Sequence, residues 1–175
     1  MNELSSPVGG VTIQGDRATL RYQIRLAHPL ESVWAAITDP KQLSSWYITE
    51  ATIDGRQGGT VDFVSGAGNL HATGRILAWE PPHLLEYEWK VEPRPEMPEG
   101  EDTIVRWELQ QKENETILTL THRNLSRTKA FGAAPFTQVV LERLAAQLDG
   151  RPFQDFGGHV AEIQRRHGSR VAAKT

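Results

Sequence analysis

Two histidines stand where an imidazole can do chemistry. His122 closes the apolar face of ETILTLTH (115–122), sharing parity with Leu118 and Leu120, and His71 opens the stretch 71–79. An imidazole that faces an apolar interior can hydrogen-bond a ligand or pass a proton near neutral pH. The commoner reading is a histidine at the rim of a sheet, bonded to backbone or water. The remaining histidines (28, 83, 159 and 167) show no metal-ligand spacing, and no His-Glu-x-x-His run occurs, so no metal is expected. With no cysteine and no Gly-x-Ser-x-Gly elbow, no nucleophile is indicated. RQGGT and SGAGN read as hairpin turns rather than phosphate loops, and no cofactor is expected.

The aromatic set Trp46, Phe63, Tyr87, Trp89, Trp107 and Phe136 has two readings, core or pocket lining. Taken together with Val140 and Leu144, and with His71 and His122 as polar points, it describes an apolar ligand site with few polar groups. Arg75 and Arg106 lie within strands, where they either orient an anionic ligand or extend over the wet face. The stretch EPRPEMPEGED (92–102), with three prolines and five acidic residues, reads as a mobile solvated loop, with a lid as the alternative.

These residues need elements to hold them. In ATLRYQIRL (18–26) apolar and polar residues alternate, which predicts a half-buried strand. Val33, Trp34 and Ile37 recur at helical spacing, Asp39-Pro40 breaks that helix and caps a second, and the second delivers Trp46 and Tyr47. The expected result is two short helices in a V, with Trp34 and Trp46 closing a gap between sheet and helix. Strands follow at 51–53, 60–64, 71–79, 84–91, 102–110 and 115–122. Their one-sided alternation is that of an antiparallel meander. Pro135 is expected to open a long helix ending at Gly150, with Phe136, Val140, Leu144 and Leu148 on its stripe. A shorter helix is expected over 158–167.

The domain expectations are a flexible arm over 1–17, one domain over 18–168 and a tail over 169–175. The fold class is α+β: a curved antiparallel sheet around one long helix, with the short pair closing an end. The net charge of −3 and pI near 6.1 argue against a nucleic-acid partner. No apolar run approaches the roughly 20 residues a membrane helix needs. The opening MNELSSPVGG has no basic stretch followed by an apolar run, so no secretory signal is expected. A cytoplasmic protein, monomer or homodimer, is expected.

Six segments in order, HPLESVWAAITDPKQLSSWY, RQGGTVDF, GRILAWEPPHLLEYEWK, TIVRWEL, TILTLTHRNL and LERLAAQLDG, resemble the START-like SRPBCC superfamily. Within it they are most similar to homologues of the C-terminal domain of the heat-shock protein 90 ATPase activator, over about residues 18–150. The resemblance implies a helix-grip fold with a cavity between the sheet and the last long helix. Relatives use that cavity for lipids, sterols, plant hormones or polyketides, and a minority are aromatases or cyclases. No universal catalytic residue is implied. Phe136-Thr137 stands where this group often carries Gly-Trp, a departure at the pocket and partner surface. Three functions follow as expectations. The first is binding of a small hydrophobic or aromatic ligand. The second is a cyclase or aromatase using a cavity histidine, and the third is a co-chaperone-like interaction module.

Overall fold

In the computed structural model, which describes residues 6–65, 70–153 and 155–172, the chain forms one antiparallel sheet and four helices. The strands are β1 (Val8–Gln14), β2 (Arg17–Leu26), β3 (Glu50–Ile53), β4 (Thr60–Ser65), β5 (Leu70–Glu80), β6 (Leu84–Val91), β7 (Glu101–Lys112) and β8 (Glu115–Ser126). The helices are α1 (Leu30–Thr38), α2 (Pro40–Trp46), α3 (Arg127–Leu148) and α4 (Phe156–Ala172). The sheet order is β1-β2-β8-β7-β6-β5-β4-β3, so the last strand returns to lie beside β2. Register shifts at Ala18/Leu20 and Ile76/Ala78 mark irregularities of the kind that bend a sheet. Its inner face holds Leu20, Tyr22 and Ile24 of β2, Leu85 and Tyr87 of β6, and Leu118 and Leu120 of β8, all buried. Across it, α3 supplies Val140, Leu141 and Leu144 to the same core.

The Asp39-Pro40 break has a specific chemistry. A helix carbonyl normally accepts from the N–H four residues on. For Ala36 that residue is Pro40, which has none. The Trp46 indole Nε1 donates to the Ala36 carbonyl instead, at 3.0 Å. Asp39 restarts the chain as helix by accepting from Lys41 N at 3.0 Å. Trp46 is thus a core residue that also repairs the break. Trp34 does not share that place: it lies partly exposed, edge-on to Trp79 with centroids 5.2 Å apart, because the α1 stripe turns Val33 and Ile37 inward.

Several boundaries differ from the sequence expectation. Val8–Gln14 lies in the expected arm but pairs with β2 throughout. Only Val11 of that strand is partly covered, so no alternation announces it. Gly9 permits the pairing, since a Cβ there would lie 2.0 Å from the Arg21 carbonyl oxygen. The long helix starts at Arg127, not Pro135: Ser126 caps it by accepting from Lys129 N, and Pro135 sits in the helix interior. The loop after β6 ends at Gly100, because Glu101 and Asp102 already belong to β7. Finally, α4 runs to Ala172, into the expected tail; residues 1–5, 66–69, 154 and 173–175 lie outside the described part. Among the described residues no helix is long and apolar enough to cross a membrane.

The outer face of the sheet is polar. There Glu86 Oε2 accepts from Arg123 Nη1 at 2.7 Å and from Arg106 Nη1 at 3.2 Å. Arg106 is therefore a partner in an outer ion network rather than a ligand contact. The Arg123 bond, followed by Arg106, holds the Glu86 carboxyl below its ordinary 4.5 despite partial burial. A depressed carboxylate stabilises the fold above its unfolded pKa, and that contribution is lost as pH falls below 4.5 through the folded value. Glu86→Gln is expected to cost about 1 kcal/mol at pH 7 and to flatten the acid limb of a urea-stability profile.

Candidate functional site

A cavity of about 320 Å³ lies between the inner face of the sheet and the first half of α3. Its floor is built by strand parity. On β7, Glu101, Val105 and Trp107 fall on alternate positions facing inward, with the buried Thr103 between them on the same side. On β8 the same rule presents Leu120 and His122, and the register sets His122 opposite Val105 and Leu120 opposite Trp107. Trp89 of β6 completes the floor. The roof is α3, which offers Lys129, Gly132, Ala133, Phe136, Thr137 and Val140. Small residues at 132 and 133 leave room where large ones would fill it. Tyr47, Leu70 and Met97 close the sides. Phe136 is partly exposed while lining the space, so the cavity reaches the surface beside it.

Of the residues predicted from sequence, Trp89, Trp107, His122, Phe136 and Val140 line this cavity. Trp46, Phe63, Tyr87 and Leu144 are buried in the packed core behind it. They act on its wall indirectly. Trp46 stacks on Tyr47 with centroids 5.2 Å apart, Phe63 packs against Trp89 at 5.8 Å, and the Tyr87 hydroxyl accepts from Trp107 Nε1 at 3.2 Å. His71 is elsewhere. It is exposed on the outer face, 3.0 Å from Asp62 Oδ1, because Phe63 and Ala72 take the inward positions of that strand pair.

Sequence reasoning named His122 but missed Glu101, Thr103, Lys129 and Tyr47 around it. Glu101 Oε1 lies 4.0 Å from His122 Nε2, and both side chains are largely buried. Thr103 Oγ1 lies 2.7 Å from the same Nε2 and 3.3 Å from the Trp89 carbonyl oxygen. Lys129 Nζ donates to the Gly100 carbonyl, tying α3 to the loop beneath it. Burial raises the Glu101 carboxyl above 4.5, opposed by the Lys129 charge and a side-chain hydrogen bond with Trp89. Burial alone pushes His122 down to about 4, so its imidazole is neutral at neutral pH. Burial also lifts the Tyr47 phenol well above its ordinary value, helped by Tyr87 and Glu101. The site is an apolar pocket with a neutral imidazole, a carboxyl of raised pKa and a phenol. Among the described residues no three His, Cys, Asp or Glu side chains gather as a metal site.

This architecture is shared with solved structures. The crystal structure of CalU16 from Micromonospora echinospora matches with a TM-score of 0.68 at 25% identity, over 95% of this chain and 95% of that one. Its solution structure matches over the whole of both chains with a TM-score of 0.70 at 23% identity. DynU16, a protein of the dynemicin biosynthetic locus, matches with a TM-score of 0.65 at 21% identity, over 79% of this chain and 49% of that one. No curated protein matches the chain. The family model described as activator of Hsp90 ATPase homolog 1-like protein matches residues 27–150, most of the chain and every element from α1 to α3. The protein therefore belongs to this family, within the helix-grip SRPBCC superfamily.

Proposed function

We propose that the protein binds a small hydrophobic or aromatic molecule in the cavity under α3, its polar end directed at Glu101 and His122. The observation that carries this reading is the cavity itself. About 320 Å³ of space is walled by Trp89, Trp107, Leu120, Phe136 and Val140, with a few polar groups gathered at one end. Interiors normally pack to the density of organic crystals, so a space of this size in the core forfeits stability unless something occupies it. Sites for small organic ligands have this character: apolar walls and a few placed polar atoms. The family's helix-grip fold supports the reading by analogy.

The test uses 2-tetralone, a neutral bicyclic ketone, titrated against the intrinsic fluorescence of the protein. Trp89 and Trp107 both line the cavity, so occupation is expected to quench them saturably. Val140→Phe pushes a ring into the space from α3 and is expected to weaken binding about 30-fold, ~2 kcal/mol. An unchanged affinity in that variant would place binding outside the cavity.

A further inference from the structure

Glu101 and His122 come from adjacent strands, and their side chains approach to 4.0 Å at a polar corner of a mostly apolar wall. We infer that this corner is catalytic. Glu101 takes a proton from the carbon next to the carbonyl of a small apolar ketone, and His122 donates a hydrogen bond to the carbonyl oxygen. The inference rests on the binding reading above and gives it a substrate class, cyclic or aryl ketones with an acidic α-hydrogen.

The geometry supplies the roles. Thr103 has one hydroxyl hydrogen and two neighbours. Its 2.7 Å contact with His122 Nε2 is an ordinary O–H···N length, whereas 3.3 Å to the Trp89 carbonyl is long for O–H···O. Placed in the shorter Nε2 contact rather than on the Trp89 carbonyl, the hydroxyl hydrogen puts the imidazole N–H on Nδ1 for the ligand. A neutral imidazole of lowered pKa donates to a developing enolate without first losing a proton to it, and a buried carboxylate of raised pKa is the better base. Lys129 and the Trp89 bond favour the ionised form of Glu101, keeping it able to accept.

In the step, the α C–H bond breaks as its proton bonds to a Glu101 oxygen, and the electron pair moves to the carbonyl oxygen held by His122. When the proton on Glu101 is replaced by a solvent deuteron before reprotonation of the same carbon, the α-hydrogen is exchanged, and reprotonation at the far carbon of a conjugated enolate gives a shifted double bond. Nothing is oxidised or reduced, and no co-reactant is consumed. The largely apolar walls leave little water around the enolate, and both interactions are stronger there than in bulk solvent.

The experiment follows loss of the α-hydrogen signals of 2-tetralone by proton NMR in deuterated buffer, with binding measured separately by fluorescence on the same samples. The full chain is expected to accelerate exchange by about 10²-fold or more over buffer. Glu101→Gln is expected to return the rate to that of buffer while affinity changes less than about threefold. His122→Gln is expected to slow exchange by about tenfold or more, and where it fails to fold by near-ultraviolet circular dichroism, Glu101→Gln carries the test. Glu108→Gln, on the outer face, is expected to exchange like the native chain. Saturable binding with exchange at the buffer rate would overturn the catalytic role and leave the binding reading intact. Absence of binding would overturn both.

Discussion

Trp46→Ala is expected to lower unfolding stability by about 4 kcal/mol, the largest loss from any single substitution considered, with a fall in melting temperature of roughly 12 °C. Two costs combine. The indole is almost fully buried, so truncation leaves a void between α2, the sheet and α3. Its Nε1 also holds the Ala36 carbonyl, which Pro40 cannot serve, and that buried oxygen would lose its partner. Trp46→Phe separates the two, because it restores most of the volume but not the donor. It is expected to recover about half the loss. Urea unfolding of the pair checks the argument; equal stability of the Phe variant and the native chain would show the indole bond to be dispensable. Ligand affinity is expected to fall in the Ala variant as well, since Tyr47 stacks on Trp46 from the cavity side.

Acidification is expected to be the second large effect. His122 is held at about 4 in the fold against 6.5 when free, so between those values the unfolded chain binds a proton that the folded chain refuses. Stability from this group is complete above 6.5 and is lost as pH falls toward 4, by about 3 kcal/mol at the end of the window. Glu101 acts in the opposite sense. Its raised carboxyl favours the folded state more as pH falls through its own folded value toward 4.5. The two must be separated by difference. The stability of the native chain minus that of His122→Gln, measured from pH 7 to pH 4, is expected to fall by about 3 kcal/mol. A flat difference would mean that His122 titrates as a free imidazole and that its surroundings do not exclude the charge.

What could be read from the chain depended on whether the structure repeats itself locally. LLEYEWKV was legible because apolar Leu85, Tyr87, Trp89 and Val91 are buried on one face of β6 while charged Glu86, Glu88 and Lys90 take the other. β1 was not, because it is an edge strand with almost nothing covered on either face, so pairing with β2 leaves no hydrophobic trace. The start of α3 was obscured for a related reason. Residues facing an empty space need not be large or apolar, and Gly132 and Ala133 carry no stripe precisely where they roof the cavity; Pro135 then offered a false beginning. Glu101 was within reach. It shares parity with Thr103, Val105 and Trp107, but it ends a run of prolines and acids whose composition reads as solvent-facing. His71 went the other way, since its strand has apolar residues at both parities and the inward face could not be chosen from pattern alone.

Pro135 has one more consequence, and it is kinetic. Lacking an N–H, it cannot bond the carbonyl of Phe131, so the first two turns of α3 are joined to the remainder by one rung fewer than a regular helix provides. The turns beyond Pro135 are pinned by Leu141 and Leu144 in the core, while those before it carry Gly132, Ala133 and the exposed Phe131. Pro135 thus divides a half packed through Leu141 and Leu144 from a half held by Ala130 and by the Lys129 bond to the Gly100 carbonyl. For a ligand bound as proposed, bending at Pro135 is expected to open the cavity without breaking a strand pair, so its release rate is expected to follow the missing helix rung and not the stability of the sheet.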